Sequence, residues 1–269
     1  MAIGGAVWRA LVWAAVTACT AGASRWLRDV LAERPGARQT GASAACDPAA
    51  ARDQQRLADT RLWRLVERRV AVQALAPDRS RPGLRALRIL NLDHGPGGIA
   101  AALAALAPQD ATVVALDHLA GMAALARHRA ARRHPRATLT FTQGWTSALP
   151  FPDASFDLVV TAAGLHEWPQ ARPSLQEIGR VLRPGGRYCL LDLRRDCSLP
   201  AWLLLRLAGS LFGPPDLKAF GEPQGSIAAA YTPREVAGLA SLAGLRAHRV
   251  TLGPLWLRLE GEIAIAGDG

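Results

Sequence analysis

Apolar residues along this chain recur with two periods, and the two periods alternate. Runs rich in Val, Leu, Ile and Phe at residues 87–92, 111–116, 137–142, 156–162, 187–193 and 246–252 read as strands, with a last one near 255–265. Between them, residues 98–107, 119–133, 172–182 and 233–243 space their apolar positions as helices do. This alternation predicts a mainly parallel sheet covered by helices on both faces. In such sheets ligands bind at the carboxyl ends of the strands, where the strand order reverses. Upstream, Leu57, Leu62, Trp63, Leu65, Val66, Val70, Val72 and Leu75 give residues 53–76 a helical spacing, which Pro77 to Gly83 ends. No internal repeat is visible.

The first 30 residues break the pattern. Residues Ala10 to Ser24 are apolar or small, bounded by Arg9 and Arg25, with Trp8, Trp13 and Trp26 around them. Three readings compete. A secretory signal would use Ala21-Gly22-Ala23 as its cleavage site, or Val16-Thr17-Ala18-Cys19 as a lipoprotein box, but only Arg9 supplies a basic start. An amphipathic helix would lie on a membrane or on the following domain. An extension without regular structure is the third. We expect a helix that stays in the cytosol, its tryptophans against a membrane surface or the domain. Residues 35–52, rich in Gly, Ala, Ser and Arg, read as a linker. The division is therefore 1–52, helix and linker, and 53–269, one large domain.

Composition narrows the class. With 269 residues, 50% hydrophobic and 20% charged, the chain can bury a core and is not of disordered type. No stretch of about 18 apolar residues is free of charge, so a standard membrane span is not expected. The cysteines Cys19, Cys46, Cys189 and Cys197 form no CxxC pair and no zinc spacing, so no metal is expected. They fit a reducing compartment. The net charge of +10 comes almost wholly from arginine, Lys218 being the only lysine. The arginines are scattered, with no basic run interleaved with aromatics, so nucleic acid is not the expected partner.

Candidate chemistry begins where the first strand, Leu87 to Leu92, runs into Asp93-His94-Gly95-Pro96-Gly97-Gly98 and a helix. Glycines there let the backbone turn tightly and approach a ligand, and the helix start offers unpaired N–H groups. The second strand ends at Asp117, about 20 residues on, where an acidic residue takes ribose hydroxyls. A helix N-cap is the plainer role for the same Asp117. Four segments in order then make a resemblance. They are Gly95-Pro96-Gly97; Leu116-Asp117 followed by Met122; Leu149 to Asp157 (LPFPDASFD); and Arg180 to Gly186 (RVLRPGG). Tyr231 to Glu235 and Ala243-Gly244-Leu245 extend it. Residues 87–195 resemble the class I S-adenosylmethionine-dependent methyltransferases, of the small-molecule type.

The resemblance implies a Rossmann-like three-layer α/β sandwich, with a seven-stranded, mainly parallel sheet whose last strand is antiparallel. It implies S-adenosylmethionine as cofactor, with Gly95 and Gly97 flanking its methionine part, Asp117 on the ribose, and Met122 and His118 at the adenine. The chain departs from the family at three places. Asn91 stands where an acid is usual, Asp93 where a small residue is usual, and Trp145 where aspartate is frequent. Asn91 keeps hydrogen bonding without charge. Asp93 either repels the cofactor's carboxylate or swings round to replace the missing acid. Trp145 offers stacking in place of a hydrogen bond.

On the acceptor side, Gly164-Leu165-His166-Glu167-Trp168 follows the fourth strand. His166 is the candidate base or acceptor-orienting group, with packing beneath the cofactor as its plainer role. The insertion at 196–230, with Trp202, Leu203, Leu204, Leu205 and Leu207, is where the family commonly builds an acceptor pocket. The expectation is a cytoplasmic methyltransferase acting on a small, apolar acceptor. The alternative is a non-catalytic relative with a decayed cofactor site, kept as an interaction module.

Overall fold

The computed structural model describes residues 60–76, 86–132, 136–212, 224–245 and 248–265, and the single residues 38, 56 and 58. The expected helix at residues 1–30 and most of the linker lie outside the described residues. In chain order the elements are α1 (Arg61–Leu75), β1 (Arg88–Leu92), α2 (Gly98–Leu106), β2 (Thr112–Asp117), α3 (Ala120–Ala131), β3 (Thr138–Gln143) and β4 (Phe156–Ala162). A 3-10 turn (Leu165–Glu167), α4 (Ala171–Val181), β5 (Leu182–Leu193), α5 (Leu199–Phe212), α6 (Gln224–Ala229), α7 (Pro233–Leu242), β6 (His248–Leu252) and β7 (Trp256–Glu262) complete it.

The strands form one seven-stranded sheet in the order β3-β2-β1-β4-β5-β7-β6. The pairs β1–β2, β2–β3, β1–β4 and β4–β5 are parallel, while β7 runs antiparallel to both β5 and β6. This is the expected seven-stranded α/β sheet with an antiparallel last strand. Its two faces are covered by separate cores. Consecutive strand residues point to opposite faces. Accordingly Leu90 and Leu92 join Val159, Leu175, Ile178 and Val236 on one face. Ile89 joins Val70, Leu75, Leu103 and Leu158 on the other. Burial on both faces is why these strands read as apolar runs rather than as alternating ones.

Helix starts are set by local chemistry. Thr60 caps α1 by accepting from Trp63 N (3.2 Å). At α7, Thr232 and Glu235 form a capping box with Pro233 inside the first turn. Two expectations differ in extent. The helix read at 53–76 runs as a described continuous element from Arg61. Arg183-Pro184-Gly185-Gly186, which precede the strand read at 187–193, are taken up into β5, which begins at Leu182. The β4–β5 register shifts between Phe156 and Leu158 to accommodate it, and Gly185 takes a φ of +75°.

The strand order reverses at β1, whose neighbours are β2 on one side and β4 on the other. The crevice beyond the carboxyl ends of β1 and β4 is therefore the place for a ligand. Two non-glycine residues with positive φ, Asp93 (+47°) and Ala163 (+59°), sit at these two strand ends. Such backbone costs free energy and concentrates at functional sites. No helix among the described residues is long and apolar enough to cross a membrane.

Candidate cofactor and acceptor site

The turn after β1 is held from three sides. Gly97 N donates to His94 O (2.8 Å), and Gly95 N donates to Asp117 Oδ2 (3.0 Å) at the end of β2. Gly97 is left-handed (φ +79°), and a Cβ there would stand 2.5 Å from Ala126 Cβ on α3, so the position admits only glycine. A Cβ on Gly98 would fall on the Glu67 carboxylate. Glu67, buried on α1, lies 3.9 Å from Arg129, which also donates to Pro96 O (3.0 Å) and Ala58 O (2.7 Å). Helix α1 is thus locked onto the back of the turn. Gly95 differs: it has a φ of +48°, and nothing lies within 4 Å of the place where its Cβ would be. This is the open backbone cradle that a ligand can approach.

Asp117 is buried, and its other oxygen accepts from Leu119 N (2.9 Å), which opens α3. It therefore ties β2, the glycine turn and α3 together, the structural role and the site role falling on one side chain. Met122 is buried in the first turn of α3. His118 and Trp145 stack, with ring centroids 4.9 Å apart and an interplanar angle of 27°. Trp145 remains 58% exposed, so one aromatic surface is open next to Asp117's neighbour. Gly95 and Asp117 are thereby joined by a hydrogen bond, and His118, next to Asp117, by stacking to Trp145.

Two of the three departures, Asn91 and Asp93, sit at the end of β1, and the third, Trp145, follows β3. Asn91 Nδ2 donates to Val160 O (3.1 Å), leaving its buried Oδ1 without a partner among the described residues. Thr161 Oγ1, on β4, and His94 Nε2 are also buried and unpartnered among the described residues. Burial pushes the His94 imidazole below its usual pKa. Unsatisfied buried polar atoms are expensive unless something completes them. Asp93 is half-buried and accepts from the Trp168 indole Nε1. Burial first, then the charges of Asp117, Glu167 and Asp192, push its carboxyl up to about 8 against the indole's opposing effect. The repulsive charge expected from the sequence is thus held as a neutral acid near neutral pH.

Sequence reasoning found His166 but missed its partner. His166 Nδ1 donates to Asp192 Oδ1 (2.7 Å), and His166 N donates to Asp192 Oδ2 (2.6 Å). Leu193 N adds a third donor to the same carboxylate (2.7 Å). Both residues are buried. Three donors aimed at Asp192 make it an acceptor, which fixes the imidazole proton on Nδ1 and the ring's basic lone pair on Nε2. The signal for Asp192 was a lone acid inside an apolar strand, Cys189-Leu190-Leu191-Asp192-Leu193. The insertion borders this dyad: Arg38 donates to Ala229 O at the end of α6 (2.7 Å) and to His166 O (3.2 Å), with its guanidinium over the Tyr231 ring (4.1 Å).

Comparison with known proteins shows what this region is similar to. Residues 91–190 match the model of the methyltransferase domain family. A fatty-acid O-methyltransferase from Mycolicibacterium smegmatis is 34% identical over 134 residues, 50% of this chain and 47% of that protein. A ubiquinone/menaquinone biosynthesis C-methyltransferase from Bradyrhizobium diazoefficiens is 36% identical over 123 residues, 46% of this chain and 47% of that protein. The chain thus spans about half the length of these curated relatives. In fold it is similar to the crystal structure of an S-adenosylmethionine-dependent methyltransferase from Aquifex aeolicus, with a TM-score of 0.54 at 18% identity over 81% of this chain and 99% of that one. Residues 91–190 are thus similar to the methyltransferase domain family, and S-adenosylmethionine is the cofactor this match indicates. The residues present fit that group: an open glycine cradle, a carboxylate at the end of β2, and orphaned polar atoms at the ends of β1 and β4.

Proposed function

We propose that this chain is an S-adenosylmethionine-dependent methyltransferase acting on a small, apolar acceptor that must lose a proton to be methylated. The observation that carries the reading is the buried His166–Asp192 pair on the acceptor side of the crevice, at the ends of β4 and β5. The cofactor, when bound, supplies a methyl group on an electrophilic sulfonium, so the protein need not create an electrophile. Its residues align, desolvate and deprotonate. The Gly95 cradle and Asp117 hold the methionine and ribose ends, His118, Trp145 and Met122 border the base, and Asn91 completes the pocket end of β1.

His166 is then the base. Asp192 orients the imidazole and stabilises its protonated form, while Nε2 takes the acceptor's proton. A fatty acid needs no such base, since its carboxyl is ionised at neutral pH. A phenol or an acidic carbon does. The relatives' names point to both kinds, fatty acids and ubiquinone or menaquinone biosynthesis, each apolar. The dyad favours the second kind. The insertion supports an apolar acceptor: Trp202 and Ile227 are buried, while Leu204 and Leu207 of α5 stand exposed.

Calorimetry with S-adenosylhomocysteine should show one site, weakened by Asp117→Ala by about 1–3 kcal/mol. A labelled-methyl assay against quinols, phenols and fatty acids tests the rest. His166→Ala should lower transfer to a phenolic acceptor by about 10²–10⁴-fold and leave cofactor affinity within about threefold. Asp192→Asn should lower it while shifting the pH–rate profile. Unimpaired transfer by His166→Ala sinks the base assignment, and absent binding by the unmodified protein at millimolar ligand sinks the cofactor reading.

A further inference from the structure

Arg38 lies in the stretch that the sequence reads as a linker, residues 35–52, yet it falls inside the compact unit that starts at Ala37. It is half-buried and held at three points. Its Nε donates to Ala229 O at the end of α6 (2.7 Å), its Nη2 donates to His166 O in the 3-10 turn (3.2 Å), and its guanidinium carbon stands 4.1 Å from the centre of the Tyr231 ring. The carbonyl partners are 191 and 128 positions away, so these contacts are tertiary. The joint between α6 and α7 is tied separately to the end of β5, the strand that carries Asp192. Arg195 donates to Ala230 O (2.7 Å) and Glu235 Oε1 (2.7 Å), and Arg194 forms a parallel bridge with Tyr231. The contacts therefore close a circuit. It runs from Asp192 to His166, through Arg38 to Ala229 and Tyr231, and back through Arg194 and Arg195 to β5. Both hydrogen bonds that His166 donates to Asp192 converge on one carboxylate. Arg38 adds a restraint from another direction, at the His166 carbonyl. A planar guanidinium can donate to two carbonyls while its face lies on an aromatic ring, which an ammonium does poorly.

We propose that Arg38 is a positioning residue for His166: by tying the His166 carbonyl to the α6–α7 joint, it holds the imidazole at the angle at which Nε2 meets the acceptor's proton. This rests on the base assignment above. Arg38 acts through His166 and not on the acceptor. The cofactor residues Gly95 and Asp117 are joined to each other at the ends of β1 and β2 and take no part in the circuit. A base held at the wrong angle slows the step in which the proton moves and leaves ligand binding intact. The functional unit accordingly begins before residue 53, since a side chain from the stretch read as a linker completes the acceptor side.

The test compares the full chain with Arg38→Ala, Arg38→Lys and His166→Ala. In protein carrying isotope-labelled histidine, the His166 Nδ1 proton is assigned in the NMR spectrum by its loss in His166→Ala. That proton should exchange with water at least about tenfold faster in Arg38→Ala. With an alkylphenol as acceptor, kcat should fall about 10–100-fold in both Arg38 variants. The acceptor KM and the Kd for S-adenosylhomocysteine should stay within about threefold. Millimolar guanidinium, far below its denaturing range, should restore part of the lost kcat in Arg38→Ala, and methylammonium should not. Should Arg38→Ala fold poorly, Arg38→Lys supplies the same exchange and kinetic comparison. Faster exchange together with a kcat loss that guanidinium reverses supports the proposal. An unchanged exchange rate overturns it, and that readout needs no acceptor. A loss of cofactor affinity as large as the loss of kcat also overturns it, because the role is then a general structural one. Full activity in the Arg38 variants with activity lost in His166→Ala overturns it and leaves the base assignment standing. Full activity in His166→Ala overturns both.

Discussion

At the scale of single residues, Asp93 has a consequence even without a ligand. Its carboxyl is raised from 3.8 in a free chain to about 8 in the fold. Between those values the unfolded chain has lost the proton and the folded one keeps it. The folded state then binds more protons, so its stability falls as pH rises from about 4 to about 8. We expect thermal scans of the ligand-free protein to show this decline, and Asp93→Asn to flatten it. A decline of equal slope in the variant would assign it to other groups. The sequence marked Asp93 as out of place and offered repulsion or rescue as its meaning. It could not show Trp168, 75 positions away, donating to that carboxyl. Long-range pairs of this kind also hid Asp192 behind His166, because a hydrogen bond across two strands leaves no local spacing to read.

At the scale of elements, the two segments that most strongly mark the family turn out to be one clamp. Arg180 on α4 donates to Phe151 O (2.8 Å), Leu149 O (3.1 Å), Asp153 Oδ1 (2.7 Å) and both oxygens of Glu177 (2.7 Å each). Glu177 in turn accepts from Leu149 N (2.7 Å). Further on, Arg183 and Arg88 N both bind Asp157 (2.7 Å each), joining the starts of β5, β1 and β4. The segments 149–157 and 180–186 are therefore recognisable in the sequence because each is the other's partner, far from the crevice they help to shape. The Arg180 guanidinium holds Glu177 below its usual carboxylate range. That contribution is present above the free-chain value of 4.5 and is lost as pH falls through the depressed one. Glu177→Gln should cost about 1–3 kcal/mol at neutral pH, with the difference from wild type shrinking in acid. A denaturant titration at pH 7 and pH 3 reads it, and a cost that does not change with pH would remove the carboxylate's charge from the account. Strand and helix order was legible from apolar periodicity alone. The start of β5 was not, because Arg183-Pro184-Gly185-Gly186 has turn chemistry yet pairs as a strand across a register shift.

At the scale of the whole molecule, the sequence's net charge of +10 invites a nucleic-acid partner, and the structure shows several of its arginines committed inside the fold. Arg129 is buried and donates to two backbone carbonyls. Arg195 is buried between Ala230 O (2.7 Å) and Glu235 Oε1 (2.7 Å), fixing α7 to the end of β5. Arg38 and Arg180 bridge carbonyls of separate segments, and Arg194 pairs with Asp196 (2.8 Å). A planar guanidinium with five donors suits such work, which a lysine ammonium would do poorly. An arginine whose donors are committed inside the fold cannot neutralise a phosphate without breaking those bonds, so formal charge overstates what a polyanion would meet. Binding to nucleic acid needs several phosphates neutralised together and weakens steeply with salt. We therefore expect fluorescence anisotropy with short single- and double-stranded RNA and DNA to show no saturable binding even at 50 mM salt, while an apolar phenolic acceptor is methylated equally well at 50 and 200 mM. Saturable binding that falls with the logarithm of salt would instead reveal a basic face and reopen a nucleic-acid substrate.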